Sequence, residues 1–359
     1  MNGHSELVSA LLQAPSDALS YAIVRSGTSR VVVLRGDQLP AASAARERII
    51  LRLLTHELGE EGIGRDHYQS NKAAVLGPGD DIHEFSFHFY QGVPRSRRLF
   101  SRMECSNAAS AAAVAAGLFG VITPQSGSCF RSANLATHQH VELTPPTNWK
   151  DGDWGVRFTH LHHLRANFTE HDSAFSIKHR DMTIAGDIVR HGNIFVMAEV
   201  EPTQIDPDLV QKLDALGADF ANRCGHPEAP AKVLVYRAGA WDGLSMDCQV
   251  ACYSEGQRHH SFPGSAAMAM SAFFSIRDLA HLPEGSDAET HLHLSHPSGT
   301  MTAHSQLHHS RHWEVVSTSF ETPVQVIEHG TVQLPSTQVV GDHHVDHKGD
   351  RYVRDCRAL

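Results

Sequence analysis

In FSRMECSNAASAAAVAAGLFGVI, residues 100–122, Cys105 stands directly before a long run of alanine and other small apolar residues. Alanine is the strongest helix former, and Ser106 or Asn107 suits an N-cap, so the run reads as a helix with Cys105 at or just before its start. A helix start presents unpaired N–H groups and a partial positive charge, which favour a bound carboxylate or a thiolate. A thiol there suits proton abstraction beside a carboxylate, where an anionic intermediate must be stabilised. The alternative is an inert cysteine, because free cysteines are usually buried as small hydrophobes. A second small-residue helix is expected in SFPGSAAMAMSAFFSI, residues 261–276. Gly264 and Ser265 would present N–H groups at its start, where no cysteine stands.

The 28 histidines raise a second kind of chemistry, since imidazole is a common metal ligand. They gather in HLHH (160–163), HLHLSH (291–296), HHSRH (308–312) and HHVDH (343–347). None of these has the spacing of HExxH or of a Cys/His finger, so no metal ligand is assigned. His291 and His293 alternate as on a strand and would share one face. The six cysteines, Cys105, Cys129, Cys224, Cys248, Cys252 and Cys356, show no CxxC spacing and are expected to be thiols.

The elements that must position these groups come in two similar sets. In the first, RVVVLRG (30–36) and KAAVLG (72–77) are strand-like, and IHEFSFHFYQG (82–92) alternates as a half-buried strand should. Between them, residues 41–59 form an amphipathic helix with Ile49, Ile50, Leu53 and Leu54 on one face and Gly59 as its stop. In the second, IFVMAEV (194–200), KVLVY (232–236) and SMDCQVACYSE (245–255) are strands, and 207–225 is an amphipathic helix. Each set ends in one of the small-residue helices. The pattern predicts an α/β (α+β) fold of two lobes, each a mixed sheet around a central apolar helix. The polar stretch 172–190 marks the change, giving an N-terminal lobe over 1–182 and a C-terminal lobe over 183–359.

Composition narrows the partners. A formal charge of −10 and the lack of a basic run argue against nucleic acid. The first residues lack the charged and apolar regions of a signal peptide, and 108–122 is too short to span a bilayer. No membrane partner and a cytoplasmic location are expected.

Five blocks in order resemble the PrpF, methylitaconate Δ-isomerase and 4-oxalomesaconate tautomerase family. VRSGTSRVVVLRGDQLP (24–40) is similar to its RGGTS opening, and QSNKAAVLG (69–77) to its TSK segment. ECSNAASAAA (104–113) is similar to NCGN-(T/S)AA, GNIFVMAEV (192–200) to GNPFVFV, and HPSGTM (296–301) to HPSGT. The resemblance implies the diaminopimelate epimerase-like fold with the active site between the lobes. It also implies a catalytic pair of Cys105 with Lys72, rather than the two cysteines of the epimerases. Substrate contacts implied by the matching blocks are Thr28, Ser29, Ser106, Asn107, Asn193, Ser298, Gly299 and Thr300, and Gly264 and Ser265 join them as N–H donors from the second helix start. For several of these, a turn is the competing reading. The chain departs from the family with RSGTS for RGGTS and CSN for CGN, so Ser106 puts a side chain where glycine allows close backbone approach.

A thiol and an amine beside an allylic system could take a proton from one carbon and return one to another, with no cofactor. The expected activity is a double-bond-shifting isomerase on a small unsaturated carboxylate or carbonyl compound, in a specialised (secondary) pathway, by a monomer or homodimer. Alternatives are an epimerase or cis–trans isomerase using the same pair, a binding paralogue without chemistry, and a histidine-based metalloenzyme.

Overall fold

A computed structural model describes residues 18–54, 69–93, 98–101, 103–123, 129–136, 139–144, 154–161, 174–225, 231–242, 244–254, 256–278, 283, 285–309 and 313–333. The expected helix stop at Gly59, the segment HHVDH and Cys356 lie outside them.

The chain starts with a hairpin of β1 (Ala18–Ser26) and β2 (Ser29–Arg35). Its turn needs Gly27, whose φ is +53° and whose added Cβ would lie 2.8 Å from Thr322 Oγ1. After α1 (Ser43–Leu54), β3 (Lys72–Pro78) joins β2 in parallel and β4 (Phe85–Gly92) returns antiparallel. The short β5 (Leu99–Phe100) leads into α2 (Ser106–Leu118), followed by β6 (Phe130–Asn134), β7 (Gln139–Thr144) and β8 (Trp154–Leu161).

The second half repeats the plan. A hairpin of β9 (Ala174–His179) and β10 (Met182–His191) leads to β11 (Asn193–Glu199) and then α3 (Pro207–Arg223). Next, β12 (Lys232–Asp242) joins β11 in parallel and β13 (Ser245–Ser254) returns antiparallel. The short β14 (Gln257–Arg258) leads into α4 (Gly264–Asp278), followed by β15 (Asp287–His296) and β16 (Gly299–His309). The last strand, β17 (Trp313–Gln333), serves both halves. It pairs with β16 and β8 near its start and with β1 from Val324 onward. Strands β1, β2, β3, β4, β6, β7, β8 and β17 thereby close a ring.

Inside that ring sits α2. Nearly every residue from Ser106 to Ala116 is buried, because a helix apolar all round has no face to give to solvent. Its alanines let Val24, Val31, Val33, Phe85, Phe87 and Phe89 close around it. In the second lobe α4 packs Ala266, Ala267, Met270, Phe273 and Phe274 against Phe195, Leu234, Val250 and Leu294.

The strand expected to be half-buried, β4, is buried on both faces. Phe85, Phe87 and Phe89 face α2, while Tyr90 on the other side packs with Ile50 and Leu54 of α1. The cover supplied by α1 is a tertiary contact that alternation cannot foresee. Among the described residues, no helix is long and apolar enough to cross a membrane.

Candidate active site

Cys105 is the N-cap of α2, in extended backbone with φ −145° and ψ 99°. Its carbonyl accepts from Ala109 N at 3.0 Å, so the thiol stands where the helix begins and remains half-buried. Ser106 opens the first turn instead of capping it. Asn107 is turned away from the cap, and its Nδ2 donates to Ser29 Oγ at 3.0 Å.

The backbone before the thiol is fixed from the other lobe. Asn193 Oδ1 accepts from Glu104 N at 3.2 Å, and Asn193 Nδ2 donates to Glu104 O at 3.1 Å. The Glu104 carboxyl is buried and takes a hydrogen bond from Asn134 Nδ2 at 3.2 Å. Burial pushes it up to about 8 against the opposing effect of Asn134, a shift that favours the neutral carboxyl.

Lys72 is the first residue of β3, and its amine donates to Gln91 Oε1 at 2.5 Å. The same amine lies 5.2 Å from the centre of the Phe89 ring. Lys72 and Cys105 line one cavity of about 680 Å³, its open mouth included. Thr28, Ser29, Ser106, Asn107, Gly264 and Ser265 line it too, so both helix starts border the same space.

The remaining expected contacts sit elsewhere. Asn193 is spent on the Glu104 backbone and does not line the cavity. Ser298, Gly299 and Thr300 form the exposed β15–β16 turn, outside the lining. Ser298 Oγ donates to the carbonyl of His260, which holds that turn against the segment carrying His259.

Three ionisable lining residues were not foreseen as site residues from sequence: Glu104, Lys232 and His259. His259 Nδ1 is 3.4 Å from Gln69 Nε2 and its Nε2 is 2.9 Å from Ser254 Oγ. The amide nitrogen can only donate, so Nδ1 accepts and Nε2–H donates to the serine. Burial, then the charges of Lys232 and Lys72, push this imidazole down to about 3, and the ring is neutral. No motif signals these residues singly. A comparison of the halves would have aligned Lys72 with Lys232, each at the head of a strand parallel to its predecessor.

Among the described residues, possible metal ligands converge away from this cavity. Glu289, His291 and His304 meet on the β15–β16 sheet face, and His179, Asp206 and Asp208 meet beside α3. In the second group Arg180 and His179 already pair with Asp206.

Solved structures resemble this fold across nearly the whole chain. A methylitaconate Δ-isomerase superposes with a TM-score of 0.64 at 15% identity, covering 92% of this chain and 99% of its own. A hydroxyproline epimerase from Agrobacterium vitis, with bound trans-4-hydroxy-L-proline, gives 0.56 at 14% identity over 89% of this chain and 93% of its own. The fold is diaminopimelate epimerase-like. At such identities the likeness establishes the diaminopimelate epimerase-like fold alone. No protein-family model and no curated protein matches the sequence.

Proposed function

We propose that this protein is an isomerase that shifts a carbon–carbon double bond in a small unsaturated carboxylate or related carbonyl compound. The observation that carries the reading is the presence of Lys72 and Cys105 in one cavity, beside the start of α2. Removal of a proton from an allylic carbon leaves a charge spread over the carbonyl. Helix N–H groups and the Thr28 and Ser29 hydroxyls are suited to hold that charge. One of the pair takes the proton and the other returns one to the far carbon, so the substrate keeps its composition. The chemistry can be written with side chains alone.

The likeness to an epimerase favours a second reading, inversion at one carbon through the same delocalised anion. Pro263 lies just before α4, where a two-thiol epimerase would need a second sulfur, and this supports the double-bond shift instead. The test is turnover of methylitaconate and related unsaturated acids in deuterated water, followed by NMR. Deuterium at the carbon that gains hydrogen is expected, with loss of roughly 100-fold or more in rate for Lys72→Met and Cys105→Ser. Full turnover without exchange at any carbon would sink the proton shift, and parent-like variants would remove the two residues from it.

A further inference from the structure

Lys232 repeats the setting of Lys72 in the second lobe. Each lysine heads a strand that runs parallel to its neighbour, with Lys72 opposite Val31 and Lys232 opposite Phe195. On the other side each faces a cavity-lining polar residue across an antiparallel pair, Gln91 for Lys72 and Ser254 for Lys232. Each amine lies near a phenyl ring, Phe89 at 5.2 Å and Phe195 at 5.7 Å. Lys232 Nζ also donates to Ser265 Oγ at 3.3 Å, in the first turn of α4. Lys232 is half-buried and lines the cavity.

Among the described residues, the one acidic residue lining the cavity is Glu104, and burial pushes its carboxyl toward the protonated form. The lining imidazole, His259, is neutral. Two lysine side chains and two helix starts therefore converge on one space suited to a bound anion.

We propose that Lys232 holds the negatively charged oxygens of the substrate from the second lobe, leaving the proton transfers to the first. This rests on the isomerase reading only for which carboxylate or carbonyl compound is held. Burial lowers the affinity of Lys232 for its proton, and the Lys72 charge lowers it further, while Cys252 and Cys105 act the other way. An entering carboxylate favours the ammonium form, so anion binding is linked to proton affinity at Lys232. The titratable groups sharing its surroundings are Lys72, Cys105, Glu104, Cys252 and His259.

The experiment is a pH titration of lysine side-chain nitrogens by NMR in the full chain, with and without crotonate as a plain unsaturated carboxylate. The Lys232 signal is assigned by its loss in Lys232→Arg. Its midpoint is expected below the ~10.4 of free lysine. It should rise in Lys72→Met, where the repulsion is gone, and rise again with crotonate. Lys232→Met should bind crotonate roughly tenfold more weakly, the loss of one charge-assisted hydrogen bond, with Lys232→Arg retaining part of the affinity. Near-UV circular dichroism confirms that each variant is folded, and either substitution alone suffices for the binding comparison. A Lys232 midpoint indifferent to crotonate, equal affinity in Lys232→Met, or no crotonate binding to the parent would each overturn the proposal. Deuterium exchange is not read here, so the isomerase reading can fail while anion binding stands, and the reverse.

Discussion

Glu104→Gln isolates the energetic consequence of a carboxyl placed where water cannot reach it. Unfolded, the group has an ordinary value near 4.5; folded, burial raises it to about 8. Below the lower value both states hold the proton and no linkage arises. Between the two, the native state keeps a proton that the unfolded chain releases, so stability falls as pH rises and the loss is complete above the folded value. At roughly 1.4 kcal/mol per pH unit, the whole passage costs about 5 kcal/mol, an upper figure if local opening admits water. Glutamine keeps an Oε1 that can accept from Asn134 Nδ2 but has nothing to ionise. Urea unfolding of parent and variant across roughly pH 5 to 8.5 reads the difference directly. The expected result is a parent whose stability declines relative to the variant through that window. Parallel profiles would mean that Glu104 is either ionised or hydrated in the native state. The account of a neutral carboxyl in the cavity wall would then fall with it.

Three further perturbations test the scaffold around the site. Gly264→Ala should destabilise the fold by about 1–3 kcal/mol, because the added Cβ would lie 2.1 Å from Phe320 Cζ. Thermal unfolding measures this, and Phe320→Leu in the same chain should recover part of it. Asn193→Ala removes both hydrogen bonds to the Glu104 backbone and should cost about 1–3 kcal/mol in chemical denaturation. In His88 burial, then the Arg46 charge, push the imidazole down to about 4. An unfolded histidine gains its proton near pH 6.5, so the parent should lose stability as pH falls from ~6.5 to ~4, and His88→Phe should flatten that acid limb.

The placement of Cys105 was legible because alanine-rich helices announce themselves and the residue before one is its cap. The two-lobed plan was legible for a similar reason: strand, helix, strand and small-residue helix recur in order. Lys72 came from block order shared with a family, not from its own surroundings. The Ser298–Thr300 turn was placed beside the substrate by the same route, yet the structure leaves it exposed and tied to His260. Lys232 was passed over because a lysine opening a strand normally points to solvent. Glu104 was read as part of a motif, and nothing local distinguishes a carboxyl that tertiary packing will seal. The return of β17 to β1 was equally hidden, because pairing across more than 300 residues leaves no periodic trace.

The repeated plan explains why the chemistry should be unequal between the lobes. Immediately before each central helix one residue offers its carbonyl to the first turn. That residue is Cys105 before α2, accepting from Ala109, and Pro263 before α4, accepting from Ala266 and Ala267. A thiol at this position can exchange a proton; a proline ring cannot, and it has no N–H to offer either. What the second lobe can contribute is a lysine amine and backbone donors: Lys232, Gly264 and Ser265 in the cavity wall. Gly264 must stay small for α4 to sit against Phe320 on β17. Packing around that shared strand thus sets where the second helix start meets the cavity. A proton exchanged on one side and a charge held on the other requires no symmetry of reactive groups, only the symmetry of the strands and helices that carry them.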